Sequence, residues 1–360
     1  MARPDGPPLL LVGTDHRLAP LELREQQTPE PAGTEVLLRV IAAGVCHSDL
    51  HFWEGIYDLG GGKTLKLTDR GMKLPLTMGH EIAGQVVALG PKARGVKVGA
   101  KRLVYPWIGC GQCAVCKRGE EHLCLKPGFV GVFRPGGYAD HVIVPHPRYL
   151  FDYGSLKPEQ AAPLACSGLT AYSALKKFGS TLKTDPVVII GAGGVGLMAL
   201  GILKAMKGKG AIVVDIDPNK REAAKKAGAL AAVDGKAPDA VQQIQAATKG
   251  GVWSVVDFVG SSATVKLGID SITKGGTVVV VGLFGGEVTI PTPYIPIKAM
   301  TLRGSYVGSP KELKELLALV RKTRMPPIPI DRRPLHEANA GLMDLKAGKV
   351  VGRVVLTPAG

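Results

Sequence analysis

The sequence predicts an α/β protein in two parts, a small antiparallel β-barrel and a doubly wound parallel sheet. Three observations carry this expectation. Short apolar runs at 9–12, 21–26, 35–45, 84–89 and 101–105, punctuated by Gly and Pro, have the spacing of barrel strands. From Pro186 the pattern changes, and apolar runs at 187–190, 211–214, 252–259 and 277–283 alternate with helical stretches, as parallel strands covered by helices do. Finally, 360 residues are long for one domain and suit two.

Composition narrows the class. A hydrophobic content of 45% gives ample core, while 48 Gly and 27 Pro indicate many turns and close backbone approaches. The formal charge of +15 is spread over Lys63, Lys97, Lys204, Lys225, Lys314 and Lys349 and forms no basic run interleaved with aromatics. A solvated basic surface is expected, with no nucleic-acid partner, and its positive field favours small anionic ligands. The apolar run at 9–12 is too short for a signal peptide and is followed by Asp15 and His16. The uncharged run 187–203 is rich in Gly and shorter than the ~18 residues a membrane span needs. The expectation is a soluble, cytoplasmic protein without a membrane segment.

The barrel half carries most of the reactive side chains. Directly after the strand-like run 36–45 comes Cys46-His47-Ser48-Asp49-Leu50-His51, which gathers a thiol, two imidazoles, a hydroxyl and a carboxylate at the edge of a sheet. A polar loop with a free Cys is the alternative. The segment 57–74, rich in Gly and Lys, reads as a surface loop at an active-site mouth. Gly79-His80-Glu81 follows; a lone His is usually a satisfied core residue, and an isolated His-Glu pair would mean little. Cys110, Cys113, Cys116 and Cys124 form C-x2-C-x2-C-x7-C, which folds a loop around one tetrahedral zinc with no open position. Gly136-Gly137-Tyr138-Ala139 reads as a barrel turn and strand. Cys166 is the sixth and last cysteine, and taken alone it is equally a buried helix residue.

The second half opens with a buried strand at 187–190 and the turn Gly191-Ala192-Gly193-Gly194-Val195-Gly196, leading into a helix to about Lys207. Glycines in a strand-turn-helix let backbone amides approach a pyrophosphate at the helix N-terminus. An acid at the end of the next strand, Asp215, completes a dinucleotide fingerprint; its carboxylate holds ribose hydroxyls and repels a 2′-phosphate, so NAD is expected. Lys220 and Arg221 stand where they soften that preference. A helix from Ala263, a surface helix at 311–322 and a last strand at 351–356 complete the pattern.

Taken together, these motifs resemble the zinc-dependent medium-chain alcohol dehydrogenases over essentially the whole chain, in the flavour of the NAD-dependent bacterial and archaeal enzymes. The resemblance implies a GroES-like β-barrel catalytic domain, 1–160 plus 300–360, carrying a structural zinc lobe at 109–125 near a subunit contact. It implies a Rossmann NAD-binding domain at 161–299. Two zincs per chain are implied: a catalytic one on Cys46, His80 and Cys166, and a structural one on the four clustered cysteines. Asp49 then orients His80, and Glu81 lies beside the zinc, or is an ordinary salt-bridged Glu. Ser48 and His51 match a proton relay, His47 a pyrophosphate contact, Thr170 a neighbour of the nicotinamide and Lys220 a ribose contact. Arg353 matches a phosphate-side arginine, or is one more surface cation. Trp107 and Phe129 read as pocket wall, or as core. The implied reaction is reversible oxidation of primary and secondary alcohols to aldehydes and ketones, by a homotetramer or a dimer. One departure stands out: a family Gly-Asp-x-Val turn reads Gly99-Ala100-Lys101-Arg102. The rivals are a zinc-free reductase of the same superfamily, a polyol dehydrogenase, which usually has a Glu where this chain has Cys166, and a non-enzymatic NAD- and zinc-binding protein.

Overall fold

The structure is a computed structural model that describes residues 9–13, 19–249 and 251–358; Asp15 and His16 lie outside the described residues. The catalytic half is built on the long strand Val36–Val45, with eight of its ten residues buried. It pairs antiparallel with Glu81–Leu89 on one side and with Arg353–Thr357 on the other, in a seven-stranded sheet. Its register matters for the chemistry. Gly44 lies opposite Glu81, so Cys46, just past one strand, and His80, just before the other, emerge at the same sheet end. A smaller sheet places Leu9–Gly13 between Glu22–Glu25 and Leu76–Thr77.

The cofactor half is a six-stranded, all-parallel sheet in the order Ala231–Asp234, Ala211–Asp215, Val187–Ile190, Ser254–Asp257, Thr277–Val280, Thr301–Gly304. Every residue of Val187–Ile190 and Ser254–Asp257 is buried, as parallel strands covered on both faces must be. The chain crosses from one side of the sheet to the other between these two strands, and that reversal opens the crevice in which such sheets bind ligands. The strand Thr301–Gly304 is one edge, and all four of its residues are exposed. It belongs to the parallel sheet, so the expected return of the chain to the catalytic half at 300 is corrected. The return comes with Ile330–Pro334, after helix Pro310–Thr323 has buried Leu313, Leu316, Leu317 and Val320.

The segment 57–74 also departs from expectation. It is a β-hairpin, Ile56–Gly60 paired with Lys63–Lys66, followed by a short turn of helix. Leu67 and Met72 are buried in the core. Its low apolar content hid these two anchors among Gly and Lys. The hairpin tip touches the cofactor half: a Cβ on Gly60 would lie 2.8 Å from Cβ of Glu287, and one on Gly285 would lie 2.8 Å from Cβ of Asp58.

Candidate active site

Cys46 caps the helix His47–Glu54, its N–H donating to Asp49 Oδ2 at 2.9 Å. Asp49 Oδ1 lies 3.0 Å from His80 Nδ1, so one carboxylate ties the two neighbouring segments together. Cys166 arrives from far along the chain, at the N-terminus of helix Ser167–Lys176. The sulfurs of Cys46 and Cys166 are 3.8 Å apart, and the ligand atoms of Cys46, His80, Glu81 and Cys166 all lie within 4.8 Å of one another. All four residues are buried, and His80 Nε2 has no hydrogen-bond partner.

An unpartnered buried imidazole nitrogen beside two thiols is costly unless something binds it. The donor set suits zinc: sulfurs each ~2.3 Å from a tetrahedral ion stand roughly 3.8 Å apart, the spacing observed. The charges agree. The hydrogen bond from Cys166 holds the Cys46 thiol well below the usual range against burial, with Arg353 and His80 assisting, and the same bond, with burial, pushes Cys166 up. Two thiolates this close repel each other, and a cation between them is what lets both sulfurs carry charge.

Glu81 sits in space that Gly44 leaves open, since a Cβ there would lie 2.0 Å from Glu81 Oε2. Its Oε1 accepts the Ser167 N–H at 3.2 Å and pairs with Arg353. Burial pushes its pKa up to about 7, with Arg353 opposing. Arg353 is 3% exposed, which overturns its reading as a surface cation. Its stem packs where Gly194 has no side chain, a Cβ there being 2.4 Å from Arg353 Cδ. One guanidinium therefore lies between the metal-ligand cluster and the start of the fingerprint helix.

Ser48 and His51 lie one turn apart on helix His47–Glu54, and the His51 ring is 5.0 Å from Tyr57 and 5.4 Å from His47. Burial first, and His47 second, pull the pKa of His51 down to about 4; desolvation by its neighbours lowers that of His47 too, although the residue is exposed. Thr170 is buried one turn beyond Cys166, its N–H donating to the Cys166 carbonyl at 2.8 Å. A cavity of about 500 Å³ opens between the hairpin, the four-Cys lobe and the cofactor half; it reaches Tyr57, the ring neighbour of His51, while Ser48, His51, Thr170 and the Cys46–His80–Cys166 cluster do not line it. Phe129 lines it with Phe52, Leu67, Val132, Phe133 and Tyr306. Trp107 stands behind that wall, its ring 5.2 Å from both Phe129 and His80 and its indole N–H on the Ala165 carbonyl at 3.1 Å.

In the crevice, Gly191 takes φ +94°, and Gly196 lets the helix approach the turn, since a Cβ on it would lie 1.9 Å from the Gly191 carbonyl oxygen. Gly193 faces open space, and Gly194 and Val195 begin helix Gly194–Ala205. Asp215 accepts the Ala192 N–H at 2.7 Å and the Asp217 N–H at 2.9 Å. Arg221 is committed elsewhere, to the Asp215 carbonyl at 2.9 Å and to Asp234 at 3.3 Å, while Lys220 lies against Gly348.

Cys110, Cys113, Cys116 and Cys124 form a second cluster with all four sulfurs within 4.8 Å. Cys113 Sγ is 3.4 Å from Cys116 Sγ and 3.8 Å from Cys124 Sγ, and all four cysteines are free thiols. Backbone N–H groups of Cys113, Cys110 and Lys126 point at the Cys110 and Cys124 sulfurs at 3.2–3.4 Å, the donors that thiolates need. Such amides, Gln112 first, lower the pKa of Cys110 to about 6.

Two contributors escaped sequence reasoning. Tyr306 lines the cavity from the cofactor half, and Tyr138 hydrogen-bonds Asp49 from 89 residues away. Neither stands in a motif with a chemical signature; the pair Gly136-Gly137 before Tyr138 was the only local signal of close packing.

Comparison with known proteins agrees with this geometry. Residues 32–153 match the family model of the alcohol dehydrogenase GroES-like domain, and residues 194–322 that of the zinc-binding dehydrogenases. The chain is 39% identical over 341 residues to an NAD-dependent alcohol dehydrogenase of Sulfurisphaera tokodaii, covering 94% of this chain and 97% of the relative. It is 36% identical to an alcohol dehydrogenase of Geobacillus stearothermophilus, with 94% and 96% covered. The crystal structure of the alcohol dehydrogenase of Aeropyrum pernix superposes with a TM-score of 0.87 at 32% identity, over 97% of this chain and 100% of that one. With a GroES-like domain, a Rossmann domain and a Cys-His-Cys cluster between them, the chain belongs to the zinc-dependent medium-chain alcohol dehydrogenase family.

Proposed function

We propose that this protein is an NAD-dependent alcohol dehydrogenase that interconverts primary or secondary alcohols and aldehydes or ketones, with hydride transfer to and from NAD. The observation that carries the reading is the convergence of two buried thiols and an unpartnered imidazole nitrogen, joined to the fingerprint helix through Glu81 and Arg353. The names of the relatives support it.

Cys46, His80 and Cys166 hold a catalytic zinc, and Cys110, Cys113, Cys116 and Cys124 hold a structural one. A zinc on the first set supplies Lewis acidity that lowers the pKa of a coordinated alcohol. The chain's own residues do the rest. Asp49 fixes the His80 tautomer, and Glu81, paired with Arg353, adjusts the local charge. Ser48 takes the alcohol's proton, and His51, neutral above about pH 4, receives it on the way to solvent. His47 and Arg353 serve the pyrophosphate, Asp215 and Lys220 the ribose, Thr170 the nicotinamide side. The turn from Gly191 through Gly193, Gly194 and Val195 to Gly196 offers backbone amides. Phe129 forms the pocket wall, and Trp107 braces it. A cavity of about 500 Å³ with mostly aromatic and aliphatic walls, and Asp58, Arg70 and His122 among its lining, favours bulky apolar alcohols, cyclic or benzylic, over ethanol.

The working form is a cytoplasmic homo-oligomer, a tetramer rather than a dimer. The exposed edge Thr301–Gly304, with Leu302, Ile295 and Ile297 bare beside it, supports assembly. No described helix is long and apolar enough to cross a membrane.

The deciding experiment is NADH formation by the purified protein over a panel of primary, secondary, cyclic and benzylic alcohols, with and without a strong zinc chelator. Chelator-sensitive turnover is expected, highest for the bulky apolar members. Turnover confined to sugar alcohols would move the reading to a polyol dehydrogenase. Silence from protein shown to hold two zincs would move it to a non-enzymatic role.

A further inference from the structure

We propose that Tyr138 is a positioning residue of the metal centre, acting through Asp49 on His80. Its side chain is fully buried, and its hydroxyl donates to Asp49 Oδ2 at 3.0 Å. The same oxygen accepts the Cys46 N–H at 2.9 Å, and Oδ1 is 3.0 Å from His80 Nδ1. One carboxylate thus touches two of the three ligand residues. With Oδ2 held by two donors, the plane of the carboxylate is set and Oδ1 is left to the imidazole.

The backbone around Tyr138 grips the same ligand from behind. The Tyr138 N–H donates to the Met78 carbonyl at 3.0 Å and the Gly137 N–H to the Gly79 carbonyl at 2.7 Å, which clamps the segment leading into His80. Gly79 has φ +89°, and a Cβ on it would lie 2.4 Å from Tyr138 Cδ1. A glycine before His80 is what lets the phenol ring reach Asp49.

An imidazole whose Nδ1 meets a carboxylate keeps its Nε2 lone pair aimed at the metal. A hydroxyl on the carboxylate's far oxygen draws off part of its charge and stops it turning. Without that hydroxyl, Oδ2 keeps one donor and His80 is held less firmly. The inference rests on the reading of Cys46, His80 and Cys166 as a metal site.

Tyr138→Phe tests it, since the variant loses one oxygen and keeps the ring. With cobalt(II) in the catalytic site, the ligand-field and thiolate-to-cobalt bands report metal geometry, and zinc release to a chromogenic chelator reports how firmly the metal is held. The variant is expected to show altered bands and to release the catalytic-site zinc about 10-fold faster, the effect typical of outer-shell partners. The zinc of the four-Cys lobe should leave at the wild-type rate. Asp49→Asn should act similarly, and Tyr138→Phe added to it should change little more, because both work through one carboxylate. Unchanged bands and release, or full additivity with Asp49→Asn, would overturn the role of Tyr138 and leave the metal reading standing. Wild-type protein that takes up no cobalt on Cys46, His80 and Cys166 would overturn both.

Discussion

Asp215 stands at the end of strand Ala211–Asp215, its two oxygens taking the amides of Ala192 and Asp217 beside the fingerprint turn. A fixed negative charge there disfavours a 2′-phosphate, and Arg221, tied to Asp234, does not offset it. Asp215→Gly should therefore raise kcat/KM for NADP relative to NAD by at least about 10-fold, equivalent to ~1.4 kcal/mol; steady-state kinetics with both cofactors check this. His51 offers a pH-dependent counterpart. Burial holds its pKa at about 4, below the ordinary histidine value near 6.5, so at neutral pH it is uncharged and passes a proton on to solvent without keeping it. His51→Gln should slow alcohol oxidation most toward the acid end of the profile, where solvent base is scarce, and a profile parallel to wild type would remove His51 from the relay. The same shift has a stability sign. Between about pH 6.5 and 4 the unfolded chain binds a proton that folded His51 refuses, so this residue lowers stability as pH falls through that window and is silent above it.

The four-Cys lobe is the clearest case of an element defined by its ligands. Its helix, Ala114–Lys117, has four residues, too few to stand alone in water. Cys110→Ser should lower the melting temperature by several degrees and the zinc content by one per chain, while NAD binding persists; calorimetry and metal analysis check it. The convergence of its four cysteines was legible in the sequence, because they fall within fifteen residues and their spacing brings the sulfurs together. So was the fingerprint, where Gly191, Gly196 and Asp215 are local to one strand-turn-helix-strand. The hairpin at Ile56–Lys66 was not: strand pairing across Gly60, Gly61 and Gly62 depends on their positive φ and on Leu67 and Met72 anchoring its base, neither of which leaves an alternating apolar pattern. Arg353 was legible as a motif match and illegible as an environment. Its partner Glu81 lies on a strand far away in sequence, and only the sheet order, with Val36–Val45 between their two strands, makes them neighbours.

At the scale of the molecule, the proposed assembly rests on the edge strand Thr301–Gly304, whose four residues are exposed. Leu302→Lys places a charge on that edge and should shift the protein to smaller assemblies at unchanged fold, which light scattering measures directly; a mass that stays at the wild-type value would locate the contact elsewhere. The two halves also differ in how their sheets draw on the chain. The parallel sheet uses one unbroken stretch, from Val187 to Gly304, whereas the catalytic sheet sets Arg353–Thr357 between Val36–Val45 and Ile330–Pro334. On a ribosome, where the N-terminus emerges first, the cofactor half can complete its sheet while the catalytic half still lacks an interior strand. The end of the long strand beside Cys46, residues 43–45, must wait for Arg353–Thr357 until almost the whole chain has been made, although residues 36–39 already pair with His141–Val144. In terms of birth order, the cofactor domain is the older sibling, and the sheet beside the Cys46–His80–Cys166 cluster closes only with the last strand.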